Sequence, residues 1–245
     1  EKDTFVKALK TAEKLAKEKN VIAKVDVRPT FPSPHLGYIE VGRRIEEVDG
    51  FDILEFIRHV EKPDHKTAEK FLESGNYLWN TGYFVWPLKK IMELFERYTP
   101  ETFESLKKIQ EAFGAETESE IIAQEYSKIP KVMIDHALFE KLGKEDQLEI
   151  PAVLGWTDVG AWNVFKDELA ESEELNVVRG EHVDLDSVDC LVFQTNEGKL
   201  VATIGLESMI IVDTPDALLI CPKARSQDVK KIVQQLKDSE KQRYL

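Results

Sequence analysis

Several groups of residues combine types and spacing that suit chemistry. Asp158 stands in Gly155-Trp156-Thr157-Asp158-Val159-Gly160-Ala161-Trp162, one carboxylate framed by two glycines and two tryptophans where a predicted strand meets a predicted helix. Such a carboxylate can ligate Mg2+, a hard cation held by one or two carboxylates plus substrate phosphates. On the bare residues the helix N-cap is the favoured role. Glu61-Lys62-Pro63 closes a predicted strand. A Glu there can accept hydrogen bonds from sugar hydroxyls while the Lys pairs with a phosphate, although an exposed strand end before a proline turn has the same composition. Asn80-Thr81-Gly82 interrupts an aromatic strand. The amide both donates and accepts, which fits a sugar hydroxyl, and Gly82 lets backbone approach a ring; a β-bulge is the plain alternative. Gly37 and Tyr38 follow a Pro-rich stretch, Pro29-Thr30-Phe31-Pro32-Ser33-Pro34. Ile134-Asp135-His136-Ala137 carries a lone helical His, which is usually structural.

The elements that must position these groups follow from periodicity. Phe5, Val6, Leu9, Ala12, Leu15 and Ala16 share one helical face over 4–19. Strands are predicted at 21–27, 53–60, 77–86 and 148–154, and helices at 66–73, 88–97, 101–113, 118–127, 132–142 and 161–169. The 66–73 helix stops at Ser74-Gly75. Strands alternating with helices imply an α/β domain. In open α/β sheets, ligands sit at the carboxyl ends of strands, where Glu61 falls. Beyond the acidic run Glu171–Glu174, short strands are predicted at 176–178, 183–185, 190–194, 200–204, 209–212 and 217–221. Asp186-Ser187, Asn196-Glu197-Gly198 and Thr214-Pro215-Asp216 punctuate them. An amphipathic helix over 226–237 completes the pattern. The expected division is residues 1–172 and 173–245.

The 245 residues carry a formal net charge of −13, which disfavours nucleic-acid binding. No apolar run is long enough to span a membrane, and the charged N-terminus is not a signal peptide. Cys190 and Cys221 lie in apolar runs and read as buried thiols in a reducing cytoplasm. Neither they nor the five His have zinc-site spacing.

Taken together, Gly155–Trp162, Glu61-Lys62-Pro63 and Trp79-Asn80-Thr81-Gly82 resemble the sugar-1-phosphate nucleotidyltransferases, and among them the mannose-1-phosphate guanylyltransferases. The resemblance implies transfer of GMP from GTP to mannose 1-phosphate, giving GDP-mannose and pyrophosphate, with Mg2+ as cofactor. It implies that Asp158 ligates the metal and that Lys62 and Asp158 serve catalysis. Glu61 would contact the hexose, Lys62 its phosphate, and Asn80 and Gly82 the sugar. The loop through Gly37 and Tyr38 keeps the family spacing, with Pro34, His35 and Leu36 where Thr-Gly-Tyr is usual; Asp135 would orient the wall of the site. Residues 201–219 resemble the family's C-terminal β-helical module, assigned to packing or a homodimer contact. The family's opening strand, its Gly-rich loop ending in Arg and its first metal-binding Asp have no counterpart here, and the sequence begins with Glu1. The expectation is therefore a truncated Rossmann-like domain, holding the sugar-phosphate half and inactive alone. A non-catalytic sugar-phosphate-binding relative and an enzyme for another hexose 1-phosphate are the alternatives.

Overall fold

Helix α1 (Lys2–Lys19) buries Ala8, Thr11, Ala12, Leu15 and Ala16, the stripe its spacing dictates, and ends at Asn20 in the left-handed conformation. The computed structural model describes residues 1–196 and 198–244, so Glu197 of the predicted 196–198 turn lies outside the described residues. Strands β1 (Ile22–Val27), β2 (Tyr38–Val48) and β3 (Phe51–Val60) follow, then α2 (His65–Ser74), β4 (Tyr77–Val85), α3 (Leu88–Tyr98), α4 (Pro100–Glu111), α5 (Glu118–Tyr126), the single turn α6 (Ile134–Ala137) and β5 (Gln147–Pro151). The chain divides into two compact units, Glu1–Trp156 and Thr157 onward.

In the first unit the strands close into a ring in the order β1-β4-β2-β3-β5. Only β1 and β5 pair in parallel; the other neighbours are antiparallel. The α/β class read from the sequence holds, with a closed, largely antiparallel ring where an open parallel sheet would be the simplest Rossmann-like form. Strand β2 is absent from the sequence-based expectation because its charged run Arg43-Arg44-Ile45-Glu46-Glu47 masks the period of two. Its pairing with β3 carries register shifts at Glu40/Val41, Val41/Arg44 and Arg44/Glu46. Those bulges bend the hairpin, letting the start of β2 pair with β4 and the middle of β3 with β5. The hairpin turns at Asp49-Gly50, both at positive φ (51° and 82°), the two-residue geometry that suits a right-twisted ribbon.

Apolar clusters line the ring. Ala8, Ala12, Leu15 and Ala16 of α1 pack on Ala23, Val25, Ile53, Leu148 and Ile150. Ile22, Ile39, Val41, Phe56 and Leu78 pack against Ile91 and Leu94 of α3 and Leu138, Phe139 and Leu142. The helix predicted over 132–142 is only α6 plus a 3-10 turn at Phe139–Lys141, because Leu138 leaves helical geometry (φ −129°) as the adjacent Leu138 and Phe139 both turn into that core. Helix α2 is capped by Asp64, whose carboxylate accepts from Thr67 N at 2.8 Å and Thr67 Oγ1 at 3.1 Å. Asp64→Ala is expected to lower the urea midpoint of this unit, as loss of an N-cap does; an unchanged midpoint would mean that the cap is not formed in solution.

In the second unit, α7 (Trp162–Leu169) precedes β6 (Val177–Arg179), β7 (Glu181–Leu185), β8 (Leu191–Gln194), β9 (Leu200–Ile204), β10 (Met209–Asp213), β11 (Leu218–Pro222) and α8 (Val229–Lys237). Successive strands alternate between two sheets, β6, β8 and β10 in one and β7 and β9 in the other, all in parallel. That alternation is a β-helical coil, which β11 closes antiparallel to β10. Trp162 and Phe165 pack on Leu191, Phe193, Ile210 and Val212. The fully buried Lys166 ammonium meets Asp189, as does that of Lys223 at 2.7 Å. Burial pushes the Asp189 carboxyl up, but the two ammonium groups and Ser208 hold it at about 2. These contacts set α7 with the coil, in the unit that begins at Thr157.

Candidate functional site

The bulge in β4 builds the centre of the site. Trp79 pairs with Val27 and Tyr83 with Val25, so Asn80-Thr81-Gly82 stand opposite Asp26 alone. The strand continues through the motif, and the bulge turns Asn80 and Thr81 to different tasks. Thr81 donates to Asp26 Oδ1 from its N–H (2.9 Å) and to Val25 O from its hydroxyl (2.6 Å). Asn80 donates its backbone N–H to Gly37 O at 2.8 Å. Its Oδ1 accepts from Gly82 N at 3.1 Å, and its Nδ2 lies 3.5 Å from Asp135 Oδ1. Gly82 sits at φ +81°, which favours a residue without a side chain.

Gly37 is where the segments meet. A Cβ there would lie 2.4 Å from Glu61 Oε2 and 3.1 Å from both Cβ and Nδ2 of Asn80. Only a glycine lets both side chains close on this backbone. Tyr38 is expected beside it on the substrate. Its side chain is fully buried among Phe71, Tyr77 and Trp79, and its hydroxyl accepts from Ser33 N at 2.9 Å. The ring is part of the apolar packing at the strand start beside Gly37.

Glu61 follows β3 directly, its side chain only 7% exposed. Its Oε2 lies 3.4 Å from His59 Nε2, its Oε1 accepts from Lys62 Nζ, and its N–H is 3.4 Å from Glu140 Oε1. The His59 imidazole hydrogen-bonded to it, with the Lys62 ammonium, holds the Glu61 carboxyl at about 2 against the upward push of burial. Lys62 itself adopts φ +45°, an uncommon backbone conformation for a side-chain-bearing residue. His136 pairs with Glu140 across one helical turn at 2.9 Å, and that carboxylate raises its pKa. This is the structural role expected of it.

Gly37, Glu61, Asn80 and Asp135 therefore converge from four segments, joined by His59, which sequence reasoning passes over. A lone His in an apolar strand carries no local signal. Its position two residues before Glu61, on the same face of an extended strand, is the only trace. His59, Glu61 and Asp135 are also the one group of three or more potential metal ligands among the described residues, their ligand atoms within 4.8 Å of one another. With an ammonium and an imidazole already facing these carboxylates, the set is better suited to accepting hydroxyl protons than to an open coordination sphere.

Asp158 lies in the second unit, exposed, in the irregular segment before α7. It does not cap that helix: the N-cap position is Ala161. Its backbone carbonyl accepts from Gly160 N at 2.8 Å. A Cβ on Gly160 would stand 3.2 Å from Asp158 Oδ2, so the glycine leaves the carboxylate room. An exposed carboxylate free of capping duty fits a hard cation with oxygen ligands. Trp156 packs in the first unit near Trp79, ring centroids 6.4 Å apart, while Trp162 packs on Phe165 and Phe193 in the second. Both tryptophans are packing groups.

The nucleotidyl transferase family model matches residues 2–174. The chain belongs to the nucleotidyl transferase family. A second model, the MannoseP isomerase/GMP-like beta-helix domain, matches residues 180–236, which take in strands β7 to β11 of the coil. This nucleotidyl transferase chain is 32% identical over 243 residues to a mannose-1-phosphate guanylyltransferase of Klebsiella pneumoniae, covering 98% of this chain and 50% of that protein. It is 30% identical over 241 residues to the mannose-1-phosphate guanylyltransferase of Escherichia coli K12, covering 97% and 49%. The crystal structure of mannose-1-phosphate geranyltransferase from Thermus thermophilus superimposes with a TM-score of 0.77 at 28% identity, covering 97% of this chain and 66% of that one. The chain spans about half the length of the curated relatives it matches. Nucleotidyl transferases of this family use a divalent metal. Among the described residues no helix is long and apolar enough to cross a membrane.

Proposed function

We propose that this chain holds the sugar-phosphate side of a mannose-1-phosphate guanylyltransferase, which joins GTP and mannose 1-phosphate into GDP-mannose and pyrophosphate. The convergence of Glu61, Asn80 and Asp135 around the bare backbone of Gly37 carries this reading. An ionised carboxylate and a side-chain amide accept and donate to adjacent hydroxyls, and a Lys beside them suits a phosphate on the same sugar. Lys62 neutralises that phosphate as its oxygen attacks the α-phosphorus of the nucleotide in line, with no covalent enzyme intermediate. Asp158 is the proposed ligand for Mg2+, which when bound screens the charge of the phosphates. The relatives named mannose-1-phosphate guanylyltransferase support the choice of hexose and nucleotide. The proposed setting is the cytoplasm, consistent with two free cysteines, and the proposed assembly is a homodimer.

Calorimetric titration with mannose 1-phosphate tests the site, with glucose 1-phosphate as competitor and a parallel assay for GDP-mannose in the presence of GTP and Mg2+. The expected result is saturable mannose 1-phosphate binding at least tenfold tighter than glucose 1-phosphate. Binding without turnover is the outcome expected of the sugar-phosphate side alone, GDP-mannose formation by this chain would overturn its expected inactivity, equal binding of the two sugars would favour another hexose specificity, and no binding would overturn the assignment.

A further inference from the structure

We infer that His59 is a positioning residue for the sugar site, its buried imidazole holding the Glu61 and Asp135 carboxylates together as a paired acceptor for adjacent hydroxyls of the hexose. The inference rests on the reading of this cluster as the sugar-phosphate site.

Three observations carry it. The His59 side chain is 1% exposed, and its Nε2 faces both carboxylates, 3.4 Å from Glu61 Oε2 and 3.8 Å from Asp135 Oδ1. Two partly desolvated carboxylates at this spacing repel each other, and a ring nitrogen hydrogen-bonded to Glu61 and facing Asp135 offsets that repulsion when it carries its proton. Second, the Asp135 carboxylate reaches the site from a helix of only four residues, and the side chains facing it are those of Asn80 at 3.5 Å and His59 at 3.8 Å. Third, His59 is rooted in the ring: its backbone pairs with Ile39 of β2, two residues beyond Gly37. The imidazole thus ties the rigid β3 to the single-turn helix across the mouth of the site. The other charged groups around it are Lys62, on the far oxygen of Glu61, and Glu140 with its partner His136.

The test compares wild type with His59→Gln, which keeps a side-chain N–H donor, and His59→Phe, which keeps the ring volume without one. Two quantities are read on the full chain: mannose 1-phosphate binding by calorimetry, and the Glu61 carboxyl titration by carbon NMR. His59→Phe is expected to bind at least tenfold more weakly and to move the Glu61 midpoint up by at least one pH unit, whereas His59→Gln stays within about threefold of wild type. Should the Phe variant not fold, His59→Met makes the same comparison. Unchanged binding in the folded Phe or Met variant overturns the inference, as does an unmoved Glu61 midpoint. If wild type itself takes up no sugar phosphate, the functional reading and the hydroxyl-acceptor role fail together, and a shifted Glu61 midpoint would still establish that His59 holds the carboxylate.

Discussion

Glu61→Gln is expected to weaken mannose 1-phosphate binding by about ten- to a hundredfold. A hydrogen bond to a charged acceptor contributes about 1.5–3 kcal/mol, and each ~1.4 kcal/mol is a factor of ten in affinity. The substitution keeps shape and one carbonyl oxygen, so it removes charge rather than volume. It also leaves the Lys62 ammonium and the His59 imidazole facing a neutral amide. Glu61 lies just past the last residue of β3, so the ring should survive the change. The same variant has a signature in acid. The Glu61 carboxyl titrates at about 2 in the folded chain, below the ~4.3 of an unstructured Glu. Its contribution to stability is therefore present above about pH 4.3 and lost as pH falls toward 2. Glu61→Gln should flatten that part of the acid-unfolding curve. Wild-type affinity in a folded Glu61→Gln protein would remove Glu61 from the site.

Lys24→Met should destabilise the first unit by about 3–5 kcal/mol, the usual effect of removing one partner from a buried ion pair. Lys24 and Asp26 are both fully buried and paired, and the Lys24 ammonium also lies over the Phe84 ring, 4.8 Å from its centroid. Without Lys24, the buried Asp26 side chain is left beside Glu149 with no ammonium to offset it, accepting from Thr81. Because Asp26 anchors the bulge that carries Asn80, sugar-phosphate binding should fall with stability. Glu149 predicts the opposite sign. Burial first, and the Asp26 carboxylate second, push its pKa well above the usual range. A carboxyl raised on folding stabilises below the unfolded value near ~4.3, and that stability is lost as pH rises through the folded pKa. Glu149→Gln should therefore make the protein more stable at neutral pH and reduce the loss of stability as pH rises above the unfolded value near ~4.3. Urea unfolding across that range measures both variants. A Lys24→Met cost below about 1 kcal/mol would mean that water reaches the pair.

The limits of sequence reading are set by distance along the chain. Helix α1 is legible because its apolar stripe repeats within one element, and the Gly155–Trp162 motif because its residues are contiguous. Strand β2 escapes sequence reasoning although Asp49-Gly50 is a strong hairpin signal, since its bulges break the alternation that identifies a strand. The 132–142 helix is over-extended by periodicity because its apolar residues fit a helical period, whereas two adjacent ones, Leu138 and Phe139, both enter the core.

The sequence alone determined the chemical inventory and the local geometry around it: a carboxylate beside a lysine at a strand end, an amide followed by a glycine, and a stretch of short strands separated by turns. Those are near-neighbour properties, written in residue type and spacing. Tertiary structure decided which members of the inventory meet. It brought Gly37, Glu61, Asn80 and Asp135 together through a ring closed by bulged strands, turned Tyr38 inward, placed His59 between two carboxylates and joined α7 to the β-helical coil. Each outcome depends on pairing between segments tens of residues apart, set by bulge positions and by competition for buried space rather than by any residue's immediate neighbours.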